Sequence, residues 1–347
     1  MLAPLLLSAL LLPAAAAAQV AQAPQPAPAA HDLGPDEAAW IDNTLVITLG
    51  DLDRYLATIY ARKQEGQAAL QQVLQEAIVR REAAAAGVSA TEEEVTAAIG
   101  KLDASARASG GGSLAESVMA NVGTAELRDA VRLHVLEERL VRLADQLAPD
   151  APVSAERLKS WLDERVGKAD MKEAPLDDAL AATWAGGDLS KADVGAHLRA
   201  VLPKETLTGV LTEMIAVQLV RRRAAELDID LTPAEVTKEV LLADAELKAG
   251  SGNRDVSYAQ AVQEIQHRSL QEHIQSDAFC TKVLLRLISE KLYTEAQARS
   301  FWEQHRDKYK QNGQSGNWED VRLAVWKDIR EVVGNSLFSN SNIVRRY

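Results

Sequence analysis

The chain says one thing twice, and that repetition limits what it can fold into more than any other feature. Residues 79–95 read VRREAAAAGVSATEEEV, and residues 220–236 read VRRRAAELDIDLTPAEV. Without a gap, Val79 matches Val220, Arg80 and Arg81 match Arg221 and Arg222, Ala83 and Ala84 match Ala224 and Ala225, and Val88 matches Ile229. Thr91, Glu94 and Val95 then match Thr232, Glu235 and Val236. The likeness extends outward. Trp40 with LGDLDRYL (Leu49–Leu56) parallels Trp184 with KADVGAHL (Lys191–Leu198), and SLAESV (Ser113–Val118) parallels SYAQAV (Ser257–Val262). Leu127, Val131, Leu136 and Leu140 line up with Leu270, Ile274, Phe279 and Val283. LKSWLDER (Leu158–Arg165) parallels ARSFWEQH (Ala298–His305), which sets Trp161 opposite Phe301. One unit is therefore read as duplicated, over 37–170 and 175–310, followed by a tail over 317–347.

Each copy reads locally as helices behind a short extended opening. Gly186 and Gly187 mark a tight turn in the second opening. A short helix follows at Leu49–Tyr60 or Ser190–Val201, with an Asp or Lys start that is weakly capped. A longer one comes next, at Ala68–Ala86 or Leu207–Leu227. Leu70, Val73, Leu74, Ala77 and Ile78 give it one apolar stripe. Thr232, Pro233 and Glu235 have the pattern of a capping box, and Glu92, Glu93 and Glu94 face the positive end of a helix dipole. Gly110–Gly112 and Ala249–Asn253 read as breaks. Further helices are expected at Leu114–Asn121, Ala125–Gln146, Tyr258–His267 and Ser269–Leu292. In the tail, Gln311–Asn317 reads as a loop. Val321, Val325, Ile329 and Val332 then define a last amphipathic helix over Trp318–Val333. The fold class expected is all-α, with strand-turn openings.

The ends and the composition narrow the function. Leu5–Leu12 is an apolar run followed by Pro13 and an Ala tract, too short to span a bilayer and read as a secretory signal cleaved after Ala18. No Lys or Arg precedes that run. Residues 19–36 are rich in Ala, Pro and Gln and read as a linker. The expected compartment is the periplasm. Apolar residues at 47% and charged residues at 25% fit a globular chain. The net charge of −12 disfavours nucleic acid as a partner. No later stretch has the length and apolarity of a membrane helix.

The sequence offers no catalytic set. It has no Gly-x-Ser-x-Gly elbow, no Cys pair and no zinc spacing. No catalytic, cofactor-binding or metal-binding residue is assigned, and no cofactor is expected. The single cysteine, Cys280, sits in an apolar helical pattern and reads as a small buried hydrophobe. His134, His197, His267, His273 and His305 read as solvated or isolated helix residues. The Gly runs lack the strand and Lys-Ser/Thr context of a phosphate loop. Trp161, Phe301 and Trp302 lie on amphipathic helices. Core packing is the simpler role for them, and an apolar groove for client chains is the sharper one.

The segment LTEMIAVQLVRRRAAELDIDLTPAEV (Leu211–Val236) resembles the N-terminal domain of SurA-like, parvulin-type periplasmic chaperones. WAGGDLSKADVGAHL (Trp184–Leu198) resembles that family's opening strand-turn-helix. GVSATEEEV (Gly87–Val95) and residues 113–140 resemble it in the first copy. LYTEAQARSFWEQHRDKY (Leu292–Tyr309) resembles the lead into the family's isomerase domain, and NWEDVRLAVWKDIRE (Asn317–Glu331) resembles the helix that returns after it. Only a short loop lies between Tyr309 and Trp318, where a parvulin domain would stand, so isomerase activity is not carried over. The resemblance implies a non-catalytic chaperone for unfolded secreted or outer-membrane polypeptides, with a separate isomerase as a conceivable further partner. It also implies that the tail helix packs back on a repeat. The alternatives are a peptidyl-prolyl isomerase-family enzyme and a scaffold for one fixed partner.

Overall fold

The computed structural model describes residues 32–42, 44–108, 124–175, 178–251, 256–266, 268–311 and 314–347. The expected signal segment, most of the linker, the Gly110–Gly112 break, the helix over 114–121 and His267 lie outside the described residues. Helices dominate, with short strands in three small sheets, none of them closed. The chain is all-α with a few short strands.

Each copy opens on the same bulged hairpin. β1 (Glu37–Ile41) pairs antiparallel with β2 (Leu45–Thr48), and its register shifts between Glu37 and Ala39. β4 (Leu180–Trp184) pairs with β5 (Gly187–Ser190), and its register shifts between Leu180 and Ala182. Ala39 and Ala182 thus hold equivalent places, and both are fully buried. This register makes Ile41, not Trp40, the counterpart of Trp184. The second turn is one residue shorter, which slides the match.

Strand residues cap the next helices. The Thr48 hydroxyl accepts a hydrogen bond from the Asp51 N–H, and the Asp51 carboxylate accepts one from the Thr48 N–H, at the head of α1 (Leu49–Tyr60). Ser190 accepts from the Asp193 N–H at the head of α6 (Lys191–Val201). The starts are therefore well capped, because the hydroxyl comes from one residue upstream of the Leu or Lys. α2 (Gln64–Ala86) and α7 (Lys204–Glu226) end alike: Gly87 (φ 65) and Asp228 (φ 49) turn left-handed. The Val88 and Ile229 N–H groups reach back to Ala83 O at 2.8 Å and Ala224 O at 2.9 Å.

α3 (Glu92–Ala108) and α8 (Pro233–Ser251) follow. The reciprocal capping box is complete at Thr91 and Glu94. At Thr232 only the hydroxyl half forms, since the Glu235 carboxylate is taken by Arg286. The first copy closes with α4 (Thr124–Ala144) and α5 (Ala155–Gly167). The second closes with α9 (Tyr258–Gln266), α10 (Leu270–Ile274), α11 (Asp277–Leu292) and α12 (Glu295–Gln304). Ser276 caps α11 and so splits the single helix expected over 269–292. Two ion pairs fix which helices correspond: Arg80–Asp129 at 2.6 Å ties α2 to α4, and Arg221–Asp277 at 2.5 Å ties α7 to α11. They align Leu136 with Leu284 and Leu140 with Ile288, not with Phe279 and Val283. The second copy has a longer stretch of chain ahead of this helix and a shorter loop after it, which hides the register from a gap-free comparison.

The two copies exchange strands. β3 (Lys172–Glu173), at the end of the first copy, joins β4 of the second. At the loop expected over Gln311–Asn317, β6 (Lys310–Gln311) pairs antiparallel with β7 (Gln314–Ser315). α13 (Trp318–Ser339) ends the second copy, and β8 (Ile343–Arg345) beyond it joins β1 of the first. Both added strands run antiparallel. Glu173 faces Ala182 as Arg345 faces Ala39, and Lys172 faces Thr183 as Val344 faces Trp40. The Ala174 N–H donates to Ala181 O, and the Arg346 N–H to Ala38 O, each at 3.0 Å.

The core lies where the exchange closes. α1 crosses α6 so tightly that a Cβ on Gly195 would sit 1.8 Å from Asp53 O. Asp53 and Gly195 are both the fifth residue of their helices, so the crossing marks an approximate two-fold axis. Leu52, Leu56 and Leu74 share one buried cluster with Val194, Leu198 and Ile215. The boundary near 170–175 separates copies in sequence, while Leu33–Tyr347 is one unit in space. The second Arg of each repeated pair spans the copies: Arg81 lies over the Trp184 ring at 5.3 Å, and Arg222 bonds Asp42. Each copy then has a distal core. The first joins Val79 and Ala83 to Leu136, Leu140, Leu158 and Trp161. The second joins Val220 and Ala224 to Leu284 and Ile288, and the tail helix packs back into it through Val321, Val325 and Ile329.

Candidate functional site

No group of three or more His, Cys, Asp or Glu side chains among the described residues could hold a metal ion. His134 is largely exposed, and His197 and His305 are half-buried. His305 stacks on Phe301 with centroids 4.3 Å apart, and its Nδ1 lies 2.8 Å from Phe301 O. His273 is not a solvated surface residue. It is buried, its Nε2 lies 2.9 Å from the Tyr258 hydroxyl, and its ring meets the Phe279 edge at 5.1 Å. Burial holds its pKa low, and Arg268 and Lys282 add to that. A His spaced from apolar neighbours along a helix gives no sign of such a partner fifteen residues away. Cys280 is half-buried, with its thiol pushed up by burial and 3.5 Å from Ile274 O, which suits packing rather than thiolate chemistry.

The three aromatics singled out above go to different places. Trp161 is 1% exposed, sandwiched in the first distal core under the Arg165 guanidinium at 3.9 Å. It has no face left for a client. Phe301 and Trp302 are half-buried against the second distal core. Trp302 tilts on Trp318 at 5.8 Å, with Arg306 over its ring at 4.8 Å. The structure does not bring Trp161 together with this pair.

Buried charge concentrates in the second copy. Glu239 is fully buried and accepts from Arg286 Nε at 2.7 Å, with Lys282 at 3.1 Å and Arg330 at 3.4 Å. This network ties α8, α11 and α13 together. Its carboxylate is saturated by cations, so it holds structure and offers no base. A second buried pair, Asp53 with Arg199 at 2.7 Å, sits at the two-fold crossing, where burial pushes the Asp53 carboxyl up against the pull of Arg199.

A cleft of about 110 Å³ opens between α1, α2, α6 and the β3 edge. Ala57, Ala61, Gly66 and Val194 form its floor, with Arg62 and Glu272 at the rim. Arg62 grips Glu272 through both nitrogens, at 2.5 and 3.2 Å. That grip, helped by the Ser269 N–H, holds the Glu272 carboxyl down to about 2. Its rim charges neutralise each other.

What remains is surface. Leu241 on α8 and Ile265 on α9 are 65% and 68% exposed, the highest of the large apolar residues described, and Leu102 on α3 is 42% exposed. α8 and α9 touch, through the Asp244 carboxylate accepting from the Tyr258 N–H at 2.8 Å. α3 buries only Val95, so its outer turns stand clear of the core. The repeat signal predicts these helices. Their apolar outer positions are ordinary helical residues in sequence, and nothing local marks them as uncovered. No helix among the described residues is long and apolar enough to cross a membrane. No family model, no curated protein and no solved structure matches the chain.

Proposed function

We propose that the protein is a non-catalytic, SurA-like chaperone of the periplasm that holds unfolded secreted or outer-membrane polypeptides. The observation that carries this reading is the set of large apolar side chains standing exposed on the outlying helices α3, α8 and α9, namely Leu102, Leu241 and Ile265. Such side chains bind exposed apolar segments through many weak contacts, without a nucleotide, and let go as the client buries those segments itself. The residue resemblance and the net charge of −12, which keeps a sticky protein soluble, support it further. Trp161, being buried, is not part of this surface, and Phe301 and Trp302 contribute at most their outer edges.

The test is light scattering of a urea-unfolded outer-membrane protein diluted into an equimolar amount of this chain. Aggregation is expected to fall, and Leu241→Glu with Ile265→Glu is expected to abolish the effect while circular dichroism stays unchanged. Full aggregation in the presence of the wild-type chain overturns the proposal.

A further inference from the structure

The approximate two-fold axis gives the cleft beside α1 a mate, and the chain itself fills the mate. Ala57 and Arg199 lie four positions beyond Asp53 and Gly195 on the two crossing helices, so they hold equivalent places. Pro175 follows Ala174 as Tyr347 follows Arg346, and the Ala174 and Arg346 N–H groups make matching bonds to Ala181 O and Ala38 O. Pro175 therefore stands where Tyr347 stands across the axis. At the mate, the Tyr347 ring packs on the shared core with the Arg199 guanidinium beside it. At the cleft, the same two places carry Pro175 and Ala57, and both line the opening of about 110 Å³. Two small side chains, where the mate has an aromatic ring and a guanidinium, leave room for a ring.

The floor is apolar and fixed. Ala57, Leu70 and Val194 are buried there, and Gly66 can carry no side chain, since a Cβ on it would stand 1.9 Å from Tyr60 O. The two cations that reach the lining are engaged already: Arg62 grips Glu272, and Lys191 is buried with a partner of its own. An acid therefore finds no spare positive charge. Gln67 Nε2 donates to Ala61 O at 2.6 Å and to Glu173 Oε1 at 3.3 Å, which leaves the amide oxygen of Gln67 as an acceptor at the rim. A dry apolar cavity of about 150 Å³ takes benzene, so this smaller, open cleft suits a single ring with its substituent in the mouth.

We infer that the cleft is a binding site for one neutral, phenol-type ring, seated as Tyr347 is seated across the axis. Burial of the ring face on the Ala57, Leu70 and Val194 floor supplies the attraction. The hydroxyl, at the mouth, donates to Gln67 Oε1. A free phenol and the tyrosine of a client polypeptide carry the same ring. The site itself does not depend on the chaperone reading, because a free ring needs no client to bind.

The experiment titrates the full chain with para-cresol, the tyrosine side chain as a free molecule, and follows backbone amide shifts by NMR. Saturable shifts are expected at Ala57, Gly66 and Val194, with a Kd of about 1 mM. Pro175→Tyr, which supplies from the chain the residue that Tyr347 supplies at the mate, is expected to weaken para-cresol at least about tenfold. Ala61→Phe, which fills the opening from the end of α1, is expected to do the same, and Pro175→Ala is expected to bind like the wild type. No saturable shift at those amides overturns the inference. So does undiminished binding by both filled variants with unchanged circular dichroism, or an equal loss in Pro175→Ala. Para-hydroxyphenylacetate, the same ring with a carboxylate, is expected to bind at least about tenfold more weakly, and equal affinity overturns the neutral-ligand assignment. N-acetyltyrosinamide then separates the two sources of the ring. Its competition with para-cresol admits client tyrosines, its failure to compete confines the site to free phenols, and either result upholds the site. Aggregation assays decide the chaperone reading separately, since the titration contains no client.

Discussion

The two copies share a hairpin, a capped short helix and a long helix that ends in a left-handed turn, yet they finish their cores differently. The first closes its distal core with one large ring, Trp161, under α4 and α5. The second has the smaller Phe301 in the matching place and needs a whole further helix, α13, to seal it. The buried Glu239 network follows from that difference. Ala98 stands at the equivalent position in the first copy, packed against the small apolar cluster of Val95, Leu127 and Val131, and no equivalent of α13 reaches it among the described residues. The likeness of the two copies is therefore kept where they meet at the two-fold crossing and lost in their distal halves. Contacts on the axis constrain both copies at once, and distal contacts constrain only one.

The largest effect should come from the axis. Gly195→Leu drives a side chain into the Asp53 backbone, with nothing flexible to give way. A loss of more than about 5 kcal/mol is expected, read as failure to show a cooperative urea transition. A normal transition would mean that the copies do not depend on this crossing. Next is the distal contrast. Arg286→Ala takes the nearest cation from the buried Glu239 carboxylate, leaving it Lys282 and Arg330, and should cost about 3 kcal/mol in urea unfolding. Arg139→Ala, which releases the half-exposed Glu94, should leave the urea midpoint nearly unchanged. Equal losses would erase the distinction drawn between the distal cores.

A smaller effect concerns the link from Arg62, at the end of α1, to Glu272 on α10, a helix with no counterpart among the described residues of the first copy. The folded Glu272 titrates near 2, below the ordinary ~4.3 of a free glutamate. Its contribution is therefore fully present above the ordinary value and fades as pH falls toward 2. Carboxyl NMR should show that low midpoint in the native protein, and Arg62→Ala should return it to the usual carboxylate range. The smallest change is Gly209→Ala, on an exposed turn of α7 where a methyl meets nothing within 4 Å and where the first copy already has Ala68. A gain of about 0.5–1 kcal/mol in urea unfolding is expected.

Much of this was legible from residues alone. The boundaries of α1 and the ends of α2 and α7 follow from apolar spacing and from Gly87 and Asp228, because a helix buries one stripe and stops where the backbone must turn left-handed. The candidate surface was less legible. Leu241 and Ile265 are exposed because no later element among the described residues covers their faces of α8 and α9, and Trp161 is buried because α2, α4 and α5 converge on it. The matching of α4 to α11 required the ion pairs to Asp129 and Asp277, since insertions on either side of a helix defeat a constant spacing.

By itself the sequence determined that one pattern recurs, where most of its helices run, and that Thr232 stands ready to cap one of them; each of these depends on residues within a few positions of one another. Only the tertiary structure decided that the copies trade their last strands. β3 and β8 are two and three residues long, too short to carry a period, and β8 pairs with the opening strand of the other copy. Which edge such a fragment covers is set by where the helices before it deliver the chain, and that depends on the α1–α6 crossing at Gly195 more than on anything in the strands.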